Sequence, residues 1–197
     1  MRLGIFGGTF DPPHVGHLIG AVEAVEALAL DRLVFVPAGR QPLKADSPAA
    51  PPPRRLDMVR LLVGDDRRFA VDPIEIDREG LSYSVETLAA FAERYPDAER
   101  FFVTGADIVK TFDRWREPDR VLRLARVAVL ERRNGEDGGV GRAERAALER
   151  GGALFLRTRR IDVSSTEVRA RVRAGKSVRG FVPDAIAAYI DRAGLYR

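Results

Sequence analysis

The sequence predicts a single doubly wound α/β domain, in which helices cover both faces of a parallel β-sheet. Short apolar runs alternate with stretches of helical periodicity along the chain, and the first run opens into a glycine-containing loop that leads to a helix. A second apolar run follows that helix, so the chain starts with a β-α-β unit, which implies parallel strands. With 197 residues, of which 45% are hydrophobic, the chain can bury one substantial core but is short for two domains. We therefore treat residues 1–197 as one domain.

The first unit consists of a strand at residues 3–6, a helix at 15–30 and a strand at 33–37. The strands are short apolar runs, whereas the helix has apolar residues at helical spacing. The same patterns then predict, in order, a helix at 55–63, a strand at 69–71, a helix at 84–95, a strand at 100–103, helical stretches at 108–112 and 118–124, a strand at 127–130, a helix at 141–149, a strand at 153–156, and helices at 165–174 and 183–192. This alternation is typical of a Rossmann-like sheet, whose ligands bind beyond the carboxyl ends of the strands.

A proline-rich loop at residues 38–53 interrupts the alternation. It carries five prolines with Ala, Ser and Asp, a composition too poor in large apolar groups to pack. Such a long loop is often an active-site lid, and the alternative is a surface insertion that the fold tolerates. A second loop at 134–141 is glycine-rich and charged, which indicates a surface turn without chemistry.

Composition argues against several classes of protein. The chain has no cysteine, so disulfides and thiolate metal sites are impossible. The longest apolar stretch, residues 18–30, is interrupted by Glu23 and Glu26, so we expect a cytoplasmic protein without a membrane partner. A net charge of only +4 and 8% aromatic residues do not suggest nucleic-acid binding.

The sharpest functional signal is GGTFDPPHVGH, residues 7–17, between the first strand and the first helix. Glycines there let the backbone approach a ligand, and the helix N-terminus offers amides and a positive dipole end to an anion. His14 and His17, the only two histidines of the chain, lie three residues apart on one helix face. The segment therefore predicts two imidazoles directed at a bound phosphate.

Metal binding is the alternative use of this pair. Asp11 would complete a set of two histidines and one carboxylate, which suits metal-assisted hydrolysis. The glycines and the helix N-terminus favour an anion over a cation, so we expect no metal held by the protein.

The segment VSSTEVR, residues 163–169, begins the C-terminal helical part of the chain. One of its hydroxyl residues can cap a helix, while Arg169 can add a bidentate contact to phosphate oxygens bound by the amides and hydroxyls. Because SSTE is also an ordinary capping sequence, this segment alone leaves both interpretations open.

Together the two segments resemble the HxGH and ISSTxxR motifs of the nucleotidyltransferase superfamily. Four further stretches are similar to the nicotinate mononucleotide adenylyltransferases: REGLSYSVETL from residue 78, GADIVKTFDRW from 105, FVPDAIAAYI from 181 and GLYR from 194. The resemblance covers essentially the whole chain. It implies transfer of the adenylyl group of ATP to nicotinate mononucleotide, with release of pyrophosphate, in NAD biosynthesis.

The resemblance also implies roles for individual residues. Charge that develops during the transfer would be neutralised by His14, His17, Lys44 and Arg169, and Mg²⁺ would arrive with ATP. ATP would further be contacted by Gly7, Gly8, Thr9, Phe10, Gly105, Asp107, Ser164, Ser165 and Thr166. The pyridine nucleotide would contact Ser82, Tyr83, Ser84 and Trp115. Two alternatives stay open, since Asp107 could cap a helix and Trp115 could pack in the core.

The chain departs from the family at two places. Residues 41–44 are Gln, Pro, Leu and Lys where the family often has Pro, Pro, His and Lys, so only Lys44 receives a role and Leu43 receives none. Ser84 stands where threonine is usual, which keeps the hydroxyl.

Other functions remain to be distinguished. A sister adenylyltransferase, such as the pantetheine phosphate enzyme, would share both phosphate motifs but lack the elements around Ser82 and Trp115. A non-catalytic nucleotide sensor would bind ATP without turnover, which the intact histidine pair argues against. The sequence leaves open whether the chain forms a homo-oligomer and how strongly it prefers nicotinate over nicotinamide.

Overall fold

The computed structural model of the chain describes residues 1–42, 50–132 and 142–197, apart from the side chains of 107–110, 132, 142 and 144. Its strands are β1 (Arg2–Gly8), β2 (Arg32–Pro37), β3 (Phe69–Val71), β4 (Glu99–Gly105), β5 (Arg126–Arg132) and β6 (Leu154–Thr158). They form one sheet in the order β3-β2-β1-β4-β5-β6, and every neighbouring pair is parallel. The predicted parallel sheet is therefore confirmed.

The helices are α1 (Val15–Leu28), α2 (Pro52–Val63), α3 (Ile74–Asp77), α4 (Ser84–Arg94), a 3₁₀ helix (Ala106–Arg114), α5 (Pro118–Leu124), α6 (Arg142–Arg150), α7 (Ser165–Arg173) and α8 (Asp184–Arg192). The sequence does not predict α3, because a four-residue helix is too short to show periodicity. The start of α2 lies earlier than its sequence pattern predicts. Proline fits the first helical turn, where no intrahelical N–H bond is required, and the loop prolines therefore begin this helix.

Side chains of successive strand residues alternate between the two faces of the sheet. In β1, Phe6 packs on the face covered by α1, α2, α7 and α8. Leu3 and Ile5 pack on the opposite face, which α4, α5 and α6 cover. The prediction of helices on both faces is thus confirmed, and two apolar layers enclose the sheet.

The strand order reverses at β1, which lies between β2 and β4. The chain leaves β1 towards α1 on one face, whereas it leaves β4 towards the 3₁₀ helix on the other. The two connections diverge, which opens a crevice beyond the carboxyl ends of both strands, where doubly wound domains bind ligands. A site is therefore expected next to Gly8 and Gly105.

The proline-rich loop is packed at both of its described ends. Ala38 and Ala50 are buried, at 3% and 6% exposure, so the expectation that this composition does not pack is wrong there. The reason is that small side chains fit against a buried polar network, which the composition does not reveal. Residues 43–49, like the second loop at 134–141, lie outside the described residues, and a lid stays a prediction. Among the described helices, none combines the length and apolar character needed to span a membrane.

Candidate active site

His14 and His17 lie together at the start of α1, directly after the turn that follows β1. His14 has extended backbone torsions, and its N–H donates to Nδ1 of His17 at 3.2 Å. The two ring centroids are 3.8 Å apart, with the ring planes inclined by 33°. His14 is buried and His17 is partly exposed. The two imidazoles thus lie in contact with each other in the crevice at the carboxyl end of β1.

The contact at Nδ1 determines which atom of His17 can act on a ligand. Because Nδ1 accepts a hydrogen bond, the proton of the neutral ring is on Nε2, which is then a donor. The pKa of His17 lies well below its usual value, first because its ring is largely withdrawn from water although part of the residue is exposed, which penalises the charged form, and second because His14 is adjacent. At neutral pH, His17 therefore offers a hydrogen-bond donor without a net charge.

The lowered pKa of His17 should make the fold less stable in acid. The unfolded chain takes up this proton near pH 6.5, whereas the folded protein resists it. Below pH 6.5 protonation therefore favours the unfolded chain, by at most about 1.4 kcal/mol per pH unit until the folded-state pKa is reached. Denaturant unfolding above and below pH 6.5 measures this loss, and His17→Asn should lose less. Equal losses in both proteins would show that His17 is not the cause.

The predicted ATP-binding turn at Gly7, Gly8, Thr9 and Phe10 is closely packed. Phe10 has a left-handed backbone conformation, with φ of 50°. Its buried ring packs edge-on against Phe6 at 5.6 Å. A Cβ on Gly8 would lie 2.9 Å from that ring, so glycine is required there. Any contact between Phe10 and ATP must run through its backbone, because its side chain belongs to the core.

Asp11 is engaged by other protein groups. Its Oδ1 accepts the N–H of Ala50 at 2.9 Å and the hydroxyl of Tyr196 at 2.6 Å. Burial, together with this hydrogen bond, raises the pKa of Tyr196, which stays protonated. Within the described ranges, no group of three or more His, Asp or Glu side chains could hold a metal ion. In the alternative metal set of Asp11 with the two histidines, Oδ1 of the carboxylate is thus engaged by donors of the protein.

The two sequence motifs meet at this point. The hydroxyl of Ser165 donates to the carbonyl of Pro12 at 2.9 Å. Arg169 donates through Nη1 to the carbonyl of Asp11 at 2.7 Å and through Nη2 to Thr166 Oγ1 at 3.3 Å. The start of α7 is therefore fixed beside the loop that leads from Asp11 to His14, here called the histidine loop. The bonded residues are 153 and 158 positions apart in the sequence.

Ser164 occupies the N-cap of α7, and its Oγ accepts the N–H of Glu167 at 3.1 Å. The capping interpretation of SSTE is thus correct for this hydroxyl, which leaves the binding of phosphate by Ser164 a prediction.

The residues predicted to contact the pyridine nucleotide lie around the start of α4. Ser82 is buried, and its Oγ accepts the N–H groups of Gly39 at 3.0 Å and Arg40 at 3.3 Å. Tyr83 occupies the N-cap of α4, with the guanidinium of Arg116 4.8 Å from its ring centroid. Ser84 is the first residue of α4. Residues 82–84 thus form one wall of the site, the acceptor wall, and Ser82 joins this wall to the chain after β2.

Trp115, next to Arg116, is partly exposed. Its ring meets Phe102 edge-on at 5.9 Å and Phe112 at 5.2 Å. It therefore rests on the core without being enclosed by it, which agrees in part with both interpretations of this residue.

Two predicted site residues fall wholly or in part outside the described residues. Lys44 and the neighbouring Leu43 lie outside the described residues, as does the side chain of Asp107. Gly105 ends β4 and takes the N-cap position of the 3₁₀ helix. The alternative interpretation of Asp107 as that N-cap is therefore wrong, because the helix begins one residue before it.

Two residues that shape the site are not predicted from the sequence. Tyr196 binds Asp11 as described above, and its only signal was the resemblance of the GLYR segment. Arg55 is 3% exposed and donates hydrogen bonds to four backbone carbonyls around the site. A signal did exist for it, since Arg55, Val59 and Leu62 share the helical spacing of a buried face.

Comparisons with known proteins agree with this arrangement. Residues 5–171 match the model of the cytidylyltransferase-like family. A protein of Gemmatimonas aurantiaca named "Probable nicotinate-nucleotide adenylyltransferase" is 48% identical over 197 residues, which cover 100% of this chain and 93% of that protein. A protein of Thermus thermophilus with the same name is 42% identical over 197 residues and is covered completely. The solved structure of Plasmodium falciparum nicotinic acid mononucleotide adenylyltransferase complexed with NaAD superposes with a TM-score of 0.77 at 15% identity, covering 99% of this chain and 97% of that one. Because the identity is only 15%, this structural similarity shows the fold alone.

Proposed function

Because the chain belongs to the cytidylyltransferase-like family and is 48% identical to a relative named as a nicotinate-nucleotide adenylyltransferase, we propose that it catalyses that reaction. It is a nucleotidyltransferase of NAD biosynthesis, which transfers the adenylyl group of ATP to nicotinate mononucleotide. The observation that carries this function is the contact of the histidine loop with the start of α7, through Ser165 and Pro12, at the switch point of the sheet. We also propose that the reaction takes place in the cytoplasm.

The chemistry requires alignment rather than a general base. The acceptor phosphate is a monoester whose second pKa is about 6, so its attacking oxygen is mostly ionised at neutral pH. That oxygen forms a bond to the α-phosphorus of ATP while the bond to the bridging oxygen of the β-phosphate breaks, and pyrophosphate leaves. Nε2–H of His17, the positive dipole end of α1 and the guanidinium of Arg169 can stabilise the negative charge that develops.

We expect Mg²⁺ to reach this site as part of the ATP substrate. Asp11, the carboxylate beside the histidines, already accepts two hydrogen bonds, and the described side chains offer no cage of His, Asp and Glu ligands. A metal ion held by one or two ligands and the phosphates of ATP would neutralise their charge. Lys44 would add a positive charge to the phosphates, and Asp107 would accept a hydrogen bond from the ATP ribose.

A pyrophosphate-release assay tests the function directly. The chain is incubated with Mg²⁺, ATP and one acceptor at a time: nicotinate mononucleotide, nicotinamide mononucleotide or pantetheine phosphate. We expect the highest kcat/KM with nicotinate mononucleotide. Preference for pantetheine phosphate would identify a sister adenylyltransferase, and binding of ATP without pyrophosphate release from any acceptor would identify a sensor.

Trp115→Ala should raise the KM for nicotinate mononucleotide by roughly tenfold, since stacking a ring on an aromatic side chain is worth about 1–3 kcal/mol. The KM for ATP should stay near its wild-type value. Trp115→Phe is the matched control, because it keeps a flat ring next to Phe102. If Trp115→Ala instead lowers the melting temperature strongly and damages the use of both substrates, Trp115 is a core residue and not a platform.

A further inference from the structure

Arg55, on α2, makes an unusual set of contacts for a buried charged side chain. Its Nη1 donates to the carbonyls of Thr9 at 2.8 Å and Ala38 at 2.6 Å. Its Nη2 donates to the carbonyl of Gly39 at 2.9 Å, and its Nε to that of Ala50 at 3.1 Å. One guanidinium thus joins the turn after β1, the chain after β2 and the segment before α2.

This arrangement is costly for the fold. All four acceptors are neutral carbonyls, and within the described part of the chain no carboxylate is ion-paired with Arg55, although Asp11 and Glu75 act on it through space. Burial therefore lowers the pKa of Arg55, while Asp11 offsets part of that effect. A charge without such a partner is expensive to bury, and an apolar side chain at this position would avoid the cost. The position calls for an explanation beyond packing.

On the ATP side, Arg55 fixes the direction of a backbone amide. In a trans peptide unit the N–H points away from the preceding C=O, so holding the carbonyl of Thr9 turns the amide of Phe10 away from the guanidinium. Phe10 has a left-handed conformation, which costs energy for a bulky residue and persists only when its surroundings hold it. The contact with Arg55 is one such restraint.

On the acceptor side, Arg55 acts through Gly39. While the carbonyl of Gly39 accepts from Arg55, its N–H donates to Ser82, next to Tyr83 at the start of α4. A side chain would not fit here, because a Cβ on Gly39 would lie 2.2 Å from the carbonyl oxygen of Glu75. Arg55 therefore links the acceptor wall, which is predicted to bind the pyridine nucleotide, to the predicted ATP-binding turn.

We propose that Arg55 is a positioning residue that aligns the ATP side of the site with the acceptor side. This inference rests on the proposed adenylyl transfer, in which two substrates must meet in one geometry. A misplacement of about 1 Å, far from the reacting atoms, can cost an enzyme about 100-fold in rate. Because Arg55 acts through the backbone and not on a substrate, its loss should reduce kcat more than it changes either KM.

Four variants test the proposal. Arg55→Met removes all four hydrogen bonds, and Arg55→Lys keeps the charge but cannot span four carbonyls. Val59→Ala is the matched control for stability, because it removes buried volume from the same face of α2. Arg54→Ala is the control for charge, since Arg54 is the exposed neighbour that donates to Tyr189. All are assayed for kcat, both KM values and unfolding free energy, at a temperature where each is folded by circular dichroism.

We expect Arg55→Met to lower kcat about 100-fold, the loss expected when the two sides of the site are misaligned. The kcat of Arg55→Lys should lie between those of Arg55→Met and the wild type. Both controls should have a kcat near the wild-type value. A kcat for Arg55→Met no lower than that of Val59→Ala would overturn the proposal. If Arg55→Met does not fold, the comparison of Arg55→Lys with Val59→Ala decides in the same way.

Hydrogen exchange separates this inference from the proposed function. In Arg55→Lys, the amides of Phe10, Gly39 and Arg40 should exchange faster than in Val59→Ala, whether or not the enzyme accepts nicotinate mononucleotide. Unchanged exchange at these amides would refute the alignment by Arg55. Wild-type protein that releases no pyrophosphate would refute the function instead.

Discussion

His17→Ala should lower kcat by roughly a hundredfold or more, the loss expected for removing one preorganised donor to developing charge. His17 is held by the N–H of His14 at Nδ1, and this leaves Nε2–H to donate to the α-phosphate in the transition state. Because the lowered pKa keeps the ring neutral, Nδ1 remains an acceptor for His14, and the bond that orients Nε2–H is kept throughout the neutral pH range. The KM for ATP should change less than kcat.

Two substitutions separate the two nitrogens of His17. His17→Asn places an oxygen near the Nδ1 position, so it can still accept from His14 but has no donor at Nε2. His17→Gln places its amide nitrogen near Nε2 and loses the acceptor. We expect His17→Asn to melt near the wild-type temperature and to be as inactive as His17→Ala, while His17→Gln keeps more activity. A wild-type kcat in His17→Asn would rule out the proposed role.

Arg169→Ala should lower kcat/KM for ATP by about 100-fold or more, through the loss of a positive donor where the transferring phosphates carry charge. The side chain also holds the carbonyl of Asp11, so a fall in melting temperature should accompany the loss of activity. Steady-state kinetics, with thermal unfolding measured in parallel, records both effects.

Arg169→Lys separates the two roles of Arg169, because it keeps the charge and loses the planar fork. It should retain intermediate activity. Arg173→Ala, one turn further along α7 and exposed, is the control and should behave as wild type. If Arg169→Ala melts earlier but turns over ATP at the normal rate, Arg169 supports the loop and does not act on phosphate.

Most of the fold could be predicted because its strands are short apolar runs separated by clear helical patterns. The predictions of the fold differ from the structure only in local segments. The α3 helix has only four residues, and the segment predicted as a helix at 108–112 is a 3₁₀ helix over Ala106–Arg114, which apolar spacing does not distinguish from an α-helix. Proline is typical of loops as well as of the first turn of a helix, so the sequence alone does not show that the prolines at the start of α2 belong to the helix.

The candidate site was predictable only as far as it consists of local motifs. The histidine pair and the cap of α7 follow from adjacent residues. The partners of Asp11 do not, because Ala50 and Tyr196 reach it from remote parts of the chain. Arg54 and Arg55 are identical in sequence terms, yet one is exposed and the other buried, since neighbouring residues of a helix point in different directions.

The joining of the histidine loop to α7 has a consequence for how activity appears during folding. The hydrogen bonds from Ser165 to Pro12 and from Arg169 to Asp11 connect residues 153 and 158 positions apart. Contacts this distant in sequence form slowly, because the intervening chain must first be ordered. A refolding or nascent chain could therefore complete the β-α-β unit that holds both histidines and still be inactive. Recovery of catalysis should then follow the last kinetic phase of folding, after most of the helical circular dichroism has returned.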